Sequence, residues 1–164
     1  MWRIKEFLKG INNLIRWFPI IWKDRDWDDH FIFEVLKFKL KNQAKYIGER
    51  GNHLSAKRDA EIMMLCVRLI DKLQDEYYGC EYQKYQKSNI KFVDSETYPG
   101  SYEMEVEYIS DNLDNYFRKY PRIYRQIGGK DRHHIAFKVA CKNQERAHKL
   151  LFRILEQNIT RWWD

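Results

Sequence analysis

Apolar residues recur along most of this chain at helical intervals. Ile4, Phe7, Leu8, Ile11, Leu14, Ile15 and Phe18 share one face of a helix, with Lys5, Lys9 and Arg16 between them. Pro19 predicts the end of that helix near Phe18, because it lacks an N–H and disfavours helical geometry in the residue before it. Next, Trp27, Phe31, Val35 and Phe38 run along one line and Ile32, Leu36 and Leu40 along the next, with Lys37, Lys39, Lys41 and Lys45 filling much of the remainder. This predicts a helix opening within DRDWDDHF (24–31) and running to about Ile47, with Gly48 and Gly51 marking its end. Asp24 or Asp26 is the expected N-cap, and the other carboxylates fall in the first turn, where free N–H groups and the helix dipole favour negative charge. A third helix follows Ser55 as N-cap, carries the stripe Ile62, Leu65, Cys66, Leu69, Ile70, Leu73 and Tyr77, and closes at Gly79.

Residues 80–101 hold no sustained period, and Pro99-Gly100 signals a turn, so an irregular segment is expected there with a short extended piece near Ile90–Val93. YEMEVEYI (102–109) alternates as a strand would, yet Tyr102, Val106, Ile109, Leu113, Tyr116, Phe117 and Tyr120 also keep helical spacing. The longer window favours a helix to about Tyr120, interrupted by Pro121 and followed by a break at IGGK (127–130). Asp131 is placed to cap the last helix, whose buried side is Ala136, Ala140, Ala147, Leu151, Ile154, Leu155, Ile159 and Trp162. The expected fold class is therefore all-α, a single-domain helical bundle over 1–164 of about five helices with an irregular segment around 80–101.

Composition supports that reading. Apolar residues are 44% of the chain and charged residues 33%, while only 7 glycines and 3 prolines are present, which disfavours a turn-rich sandwich and a disordered chain. Cys66, Cys80 and Cys141 form no C-x-x-C pair, which fits a reducing compartment better than a disulfide framework or a zinc knuckle. The charge-broken start is unlike a signal peptide or membrane span, so a soluble, intracellular protein is expected. The net charge of +6 is unevenly spread: residues 1–58 hold 13 Lys+Arg against 7 Asp+Glu, 59–117 hold 5 against 13, and 118–164 hold 12 against 4. Basic ends around an acidic middle fit mutual neutralisation, or a basic surface that attracts an anionic partner.

The candidate chemistry is sparse. Asp24, Asp26, Asp28 and His30 crowd one stretch and could serve as metal ligands in a nuclease or phosphodiesterase, but Lys23 and Arg25 offset part of the charge and helix capping accounts for most of it. His133 and His134 are adjacent, so on a helix they diverge by about 100° and make no compact chelate. No nucleophile elbow, Walker loop, dinucleotide fingerprint or kinase signature is present. No cofactor is implied. What stands out is 16% aromatic residues interleaved with lysine and arginine, as in YFRKYPRIYR (116–125), a mixture suited to stacking on bases and gripping phosphates. The expected ligand contacts are Arg25, Trp27, Arg58, Tyr77, Tyr116, Arg118 and Arg122.

Taken together, DRDWD (24–28), RDA (58–60) and the terminal WWD (162–164) resemble a group of small tailed-bacteriophage proteins in which an early D-R-D-W-D opens a long helix and the chain finishes on W-W-D. No active site comes with that family. The resemblance implies a non-enzymatic accessory protein that acts on the host by binding, with a small anionic nucleotide-type ligand, such as a sequestered immune signal, as the first expected partner. A module that inhibits or recruits a host protein is the alternative. Enclosure of a ligand between copies of the chain, a homo-oligomer, fits either; nucleic acid ranks below these and a membrane is not expected.

Overall fold

The computed structural model describes residues 2–25, 27–51 and 54–163; Asp26, one of the two expected N-caps and a candidate ligand, lies outside the described residues. The elements in chain order are α1 (Trp2–Ile21), α2 (His30–Arg50), α3 (Ala56–Gln74), a short 3-10 helix (Glu81–Tyr85), β1 (Gln86–Asp94), β2 (Tyr102–Asp111), α4 (Leu113–Lys119), α5 (Pro121–Gln126), α6 (Arg132–Asn158) and a last 3-10 turn (Arg161–Trp163). The protein is thus mostly helical, as the spacing predicts, but it carries a two-stranded antiparallel sheet that an all-α reading lacks. The chain divides into two compact units, Met1–Asp71 with Ile154–Asp164, and Lys72–Arg153.

In the first unit, α1 runs through Pro19 to Ile21 rather than stopping at Phe18. A proline in the last turn removes one helical hydrogen bond, and the Trp22 N–H still reaches the Phe18 carbonyl at 2.9 Å. The second helix begins at His30 and not at Asp24: the Asp28 carboxylate accepts the His30 N–H at 2.9 Å, while Arg25 Nη1 turns back onto the Asp24 carbonyl. Its end is set by Gly51 at φ 58°, the left-handed conformation glycine adopts without a Cβ penalty. Gly48 lies inside the helix, where a Cβ would sit 3.4 Å from that of Ala60 on α3. Ala56, Met63, Cys66, Val67 and Ile70 form the buried stripe of α3, with Leu40, Ala44 and Ile47 of α2 and Trp162 also buried. Lys37 Nζ bridges Glu34 at 2.5 Å and Asp71 at 3.1 Å, tying α2 to α3.

In the second unit the core gathers Leu113, Tyr116 and Phe117 of α4, Ile123 of α5, and Ile135, Ala136 and Val139 of α6, with Tyr82, Tyr85, Tyr120 and Ile127 packed against it. The Asp131 carboxylate accepts the N–H groups of His133 (2.9 Å) and His134 (3.3 Å), the cap expected for the last helix. Pro121 opens α5 at its first position, where its missing N–H costs nothing.

Residues 86–111, expected as an irregular segment with a short extended piece near Ile90–Val93 and then a helix, form a β-hairpin: the extended piece lies within β1, and the start of the expected helix is β2. The strict alternation of YEMEVEYI is a strand signal after all, and it prevails because Gln86–Asp94 supplies a pairing partner. Between them, the Ser95 hydroxyl accepts the N–H groups of Thr97 and Tyr98, and Gly100 at φ 85° completes the reversal. Register shifts by one residue at Lys87/Ser88, leaving Ile109 as the extra residue of a bulge.

Candidate interaction surfaces

The expected ligand contacts are divided between the two units. In the first unit, Arg25 and Arg58 are exposed and the Trp27 ring is 83% exposed, within the turn before α2 and on α3. In the second, Arg118 and Arg122 are exposed on α4 and α5. Open hollows of about 520 Å³ in the first unit, along Asn12, Arg16, Asn42 and Tyr46, and of about 360 and 390 Å³ in the second are lined by none of these four arginines. Tyr116 is fully buried, edge-on to Tyr120 (5.3 Å) and beside Tyr85 (5.4 Å), so it has no free face on which a base could stack. Its aromatic neighbours are core, and burial pushes its phenol well above the ordinary tyrosine range. Among the described residues, no three His, Cys, Asp or Glu side chains are grouped to hold a metal ion; Asp28 is engaged as the helix cap, and His30 Nε2 lies 3.8 Å from Glu34.

Tyr77 is different. It is half-buried after α3, edge-on to Tyr78 at 5.1 Å, with Lys72 Nζ 4.7 Å and Lys84 Nζ 4.9 Å from its ring centre. A third ammonium, Lys119, is engaged by the buried Glu81 carboxylate, which also accepts the Tyr120 hydroxyl at 2.5 Å. That hydrogen bond holds the Lys119 pKa above its ordinary value, and burial foremost raises Tyr120. Tyr77 is therefore a ring with two cations against it.

The largest features were hidden from the periodic reading by their orientation. On a helical projection of α1, Ile4, Phe7, Leu8, Ile11, Leu14, Ile15, Phe18 and Ile21 span about 140°. A bundle helix would bury that arc, yet these side chains are 39–70% exposed. The contact with α2 is made from the other side: the Trp17 ring meets Phe38 edge-on at 4.7 Å, Arg16 Nη2 donates to Asn42 Oδ1 at 2.5 Å, and among the described side chains of α1 only Trp17 and Ile20 are half-buried. Arg3, Lys5, Lys9 and Arg16 against Glu6 give the helix a net +3. The second feature is the hairpin, exposed along nearly its whole length on both faces. Only its base is anchored, through Tyr108 stacked on His133 (ring centres 3.4 Å apart, planes 8° from parallel) and His133 Nδ1 against Gln86 Oε1 at 2.9 Å. The signal for the first feature is the amphipathic stripe itself, and for the second the alternation at 102–109.

None of the described helices is long and apolar enough to cross a membrane. No protein-family model matches the chain, and neither does any curated protein or solved structure.

Proposed function

We propose that this protein acts by binding, laying the apolar arc of α1 into an apolar groove rimmed by carboxylates on a protein partner. The observation that carries the reading is the outward turn of that arc while the opposite side of the helix holds α2. Phe7, Ile11, Leu14 and Phe18 recur at the spacing by which amphipathic helices anchor in grooves, and the flanking arginines and lysines match an acidic rim. The likeness to small tailed-bacteriophage proteins makes a host factor, recruited or inhibited, the natural partner. The test pairs wild type with Phe7→Asp/Leu14→Asp in capture from host lysate. One host protein should be held by the wild type, competed off by a peptide of residues 2–21, and lost at least 30-fold in the variant while its circular dichroism stays unchanged. Binding to anionic lipid vesicles in place of a protein, with the same sensitivity to the variant, would reassign α1 to a membrane surface.

A second reading is favoured by the Tyr77 cluster. Lys72 and Lys84 flank one aromatic ring, and two ammonium groups so placed suit the phosphate of a nucleotide-type ligand, such as a sequestered immune signal. A thermal-shift panel of cyclic and linear nucleotides addresses it: stabilisation by one member, abolished by Lys72→Glu/Lys84→Glu, is expected. A flat response across the panel would remove it.

A further inference from the structure

We propose that the β1–β2 hairpin is a dimerisation element, its apolar face packing against the same face of a second copy of this chain. The pairing register sorts the side chains. Ile90 opposite Val106, Phe92 opposite Met104, and the rings of Tyr102 and Tyr108 occupy one face, with Asp94 opposite Tyr102 at its tip and Tyr108 already stacked on His133 at its root. Asn89 opposite Glu107, Lys91 opposite Glu105, and Val93 opposite Glu103 occupy the other, where Lys91 Nζ meets Glu107 at 3.1 Å. A ribbon with both faces in water has no reason to segregate six large apolar groups, and an isolated two-stranded hairpin is barely stable by itself. Yet these six are 38–71% exposed.

The area indicates a second copy, and the charge disfavours polyanionic occupants. Weighted by their exposure, the five groups other than Tyr108 present on the order of 600 Å², approaching the roughly 800 Å² that each partner contributes to a stable interface. Residues 86–111 carry two lysines against six carboxylates, a net −4, so the ribbon repels nucleic acid and anionic lipid alike. Two identical ribbons stacked face to face about a twofold axis direct both sets of glutamates outward, away from one another. The apolar faces meet at about 10 Å, the spacing of packed sheets. This contact is independent of α1 and of any host partner.

Sedimentation equilibrium of the full chain across a range of concentrations tests the proposal. The wild type should form a dimer. Phe92→Glu, which places a carboxylate at the centre of the contact, should raise its dissociation constant about 100-fold or more, whereas Lys91→Glu on the opposite face should leave the dimer in place. A wild type that stays monomeric, or a dimer that survives Phe92→Glu, overturns it. A dimer lost in Phe7→Asp/Leu14→Asp but kept in Phe92→Glu would assign self-association to α1 instead. Should Phe92→Glu fail to fold, hydrogen exchange on the wild type decides: amides of 86–111 must gain protection as concentration rises, and unchanged exchange there refutes the contact.

Discussion

At the scale of single residues, the three cysteines report on the local environments directly. Burial pushes the Cys66 thiol up to about 11; burial and the Glu76 carboxylate, 3.5 Å from its sulfur, raise Cys80; Cys141 is exposed. Because only the thiolate attacks, a displacement from 9 to about 11 removes about 99% of the reactive form at mildly alkaline pH. An aromatic disulfide reagent should therefore label Cys141 first, Cys80 more slowly, and Cys66 only when denaturant is added, which stopped-flow absorbance will resolve. The Glu81 cluster makes a second test. The Lys119 pKa is raised above its ordinary 10.5, so the pair stabilises the fold in full below pH 10.5 and loses that contribution as pH climbs through the higher folded value. The Lys119 side chain is 43% exposed, and solvent screening limits the effect to about 1 kcal/mol. Urea midpoints of wild type and Lys119→Met should differ by that amount at neutral pH and converge in strong alkali. Tyr116→Ala should cost about 3–5 kcal/mol by opening a cavity in the second unit's core. That loss of stability, without any change in ligand response, is the signature of a packing residue.

At the scale of elements, α1 rests on α2 through a narrow contact, and its stability within the free protein is correspondingly low. Pro19→Ala restores an N–H to the last turn and removes a residue that costs up to about 3 kcal/mol in a helix interior. Amide exchange through residues 15–23 should slow several-fold, and mass spectrometry on peptides from that region will show it. Much of this architecture is legible in the sequence because caps and stripes are local: Asp131 caps α6, Gly51 ends α2, and Cys66, Leu69, Ile70 and Leu73 of the α3 stripe are buried, while Leu65 on that stripe is exposed and Met63 and Val67 beside it are buried. The misreadings share a cause. Tyr102, Val106 and Ile109 fit both helical and extended periods, and what decides between them is a strand some fifteen residues upstream, information no local window contains. The stripe on α1 was equally plain, but which side faced α2 depended on Trp17 and Ile20, two apolar residues off the stripe that captured the contact. The arginine and aromatic contacts were chosen by composition, and composition does not distinguish Tyr116 in a core from Trp27 in water.

At the scale of the whole molecule, the charge blocks give the two surfaces opposite responses to salt. Capture of an acidic partner by α1 should weaken as ionic strength rises. Pairing of two ribbons of net −4, on copies of net +6, should strengthen, since the repulsion screened beyond about 10 Å is between like charges. Measuring both affinities over the same salt series separates the two contacts without any substitution. Apolar groups left open on α1 should also make the folded protein bind a hydrophobic dye, with the signal falling when a partner is added. The bulge at Ile109 governs how the ribbon is aimed. A bulge bends its strand and tightens the local twist, so excising that single residue would straighten the ribbon at its root, while β1, unbroken through Lys87 and Ser88, keeps the same side chains on each face. A deletion of one amino acid would then weaken pairing while retaining every group that makes it, which marks the direction of attachment, rather than stickiness, as the property this one-residue defect encodes.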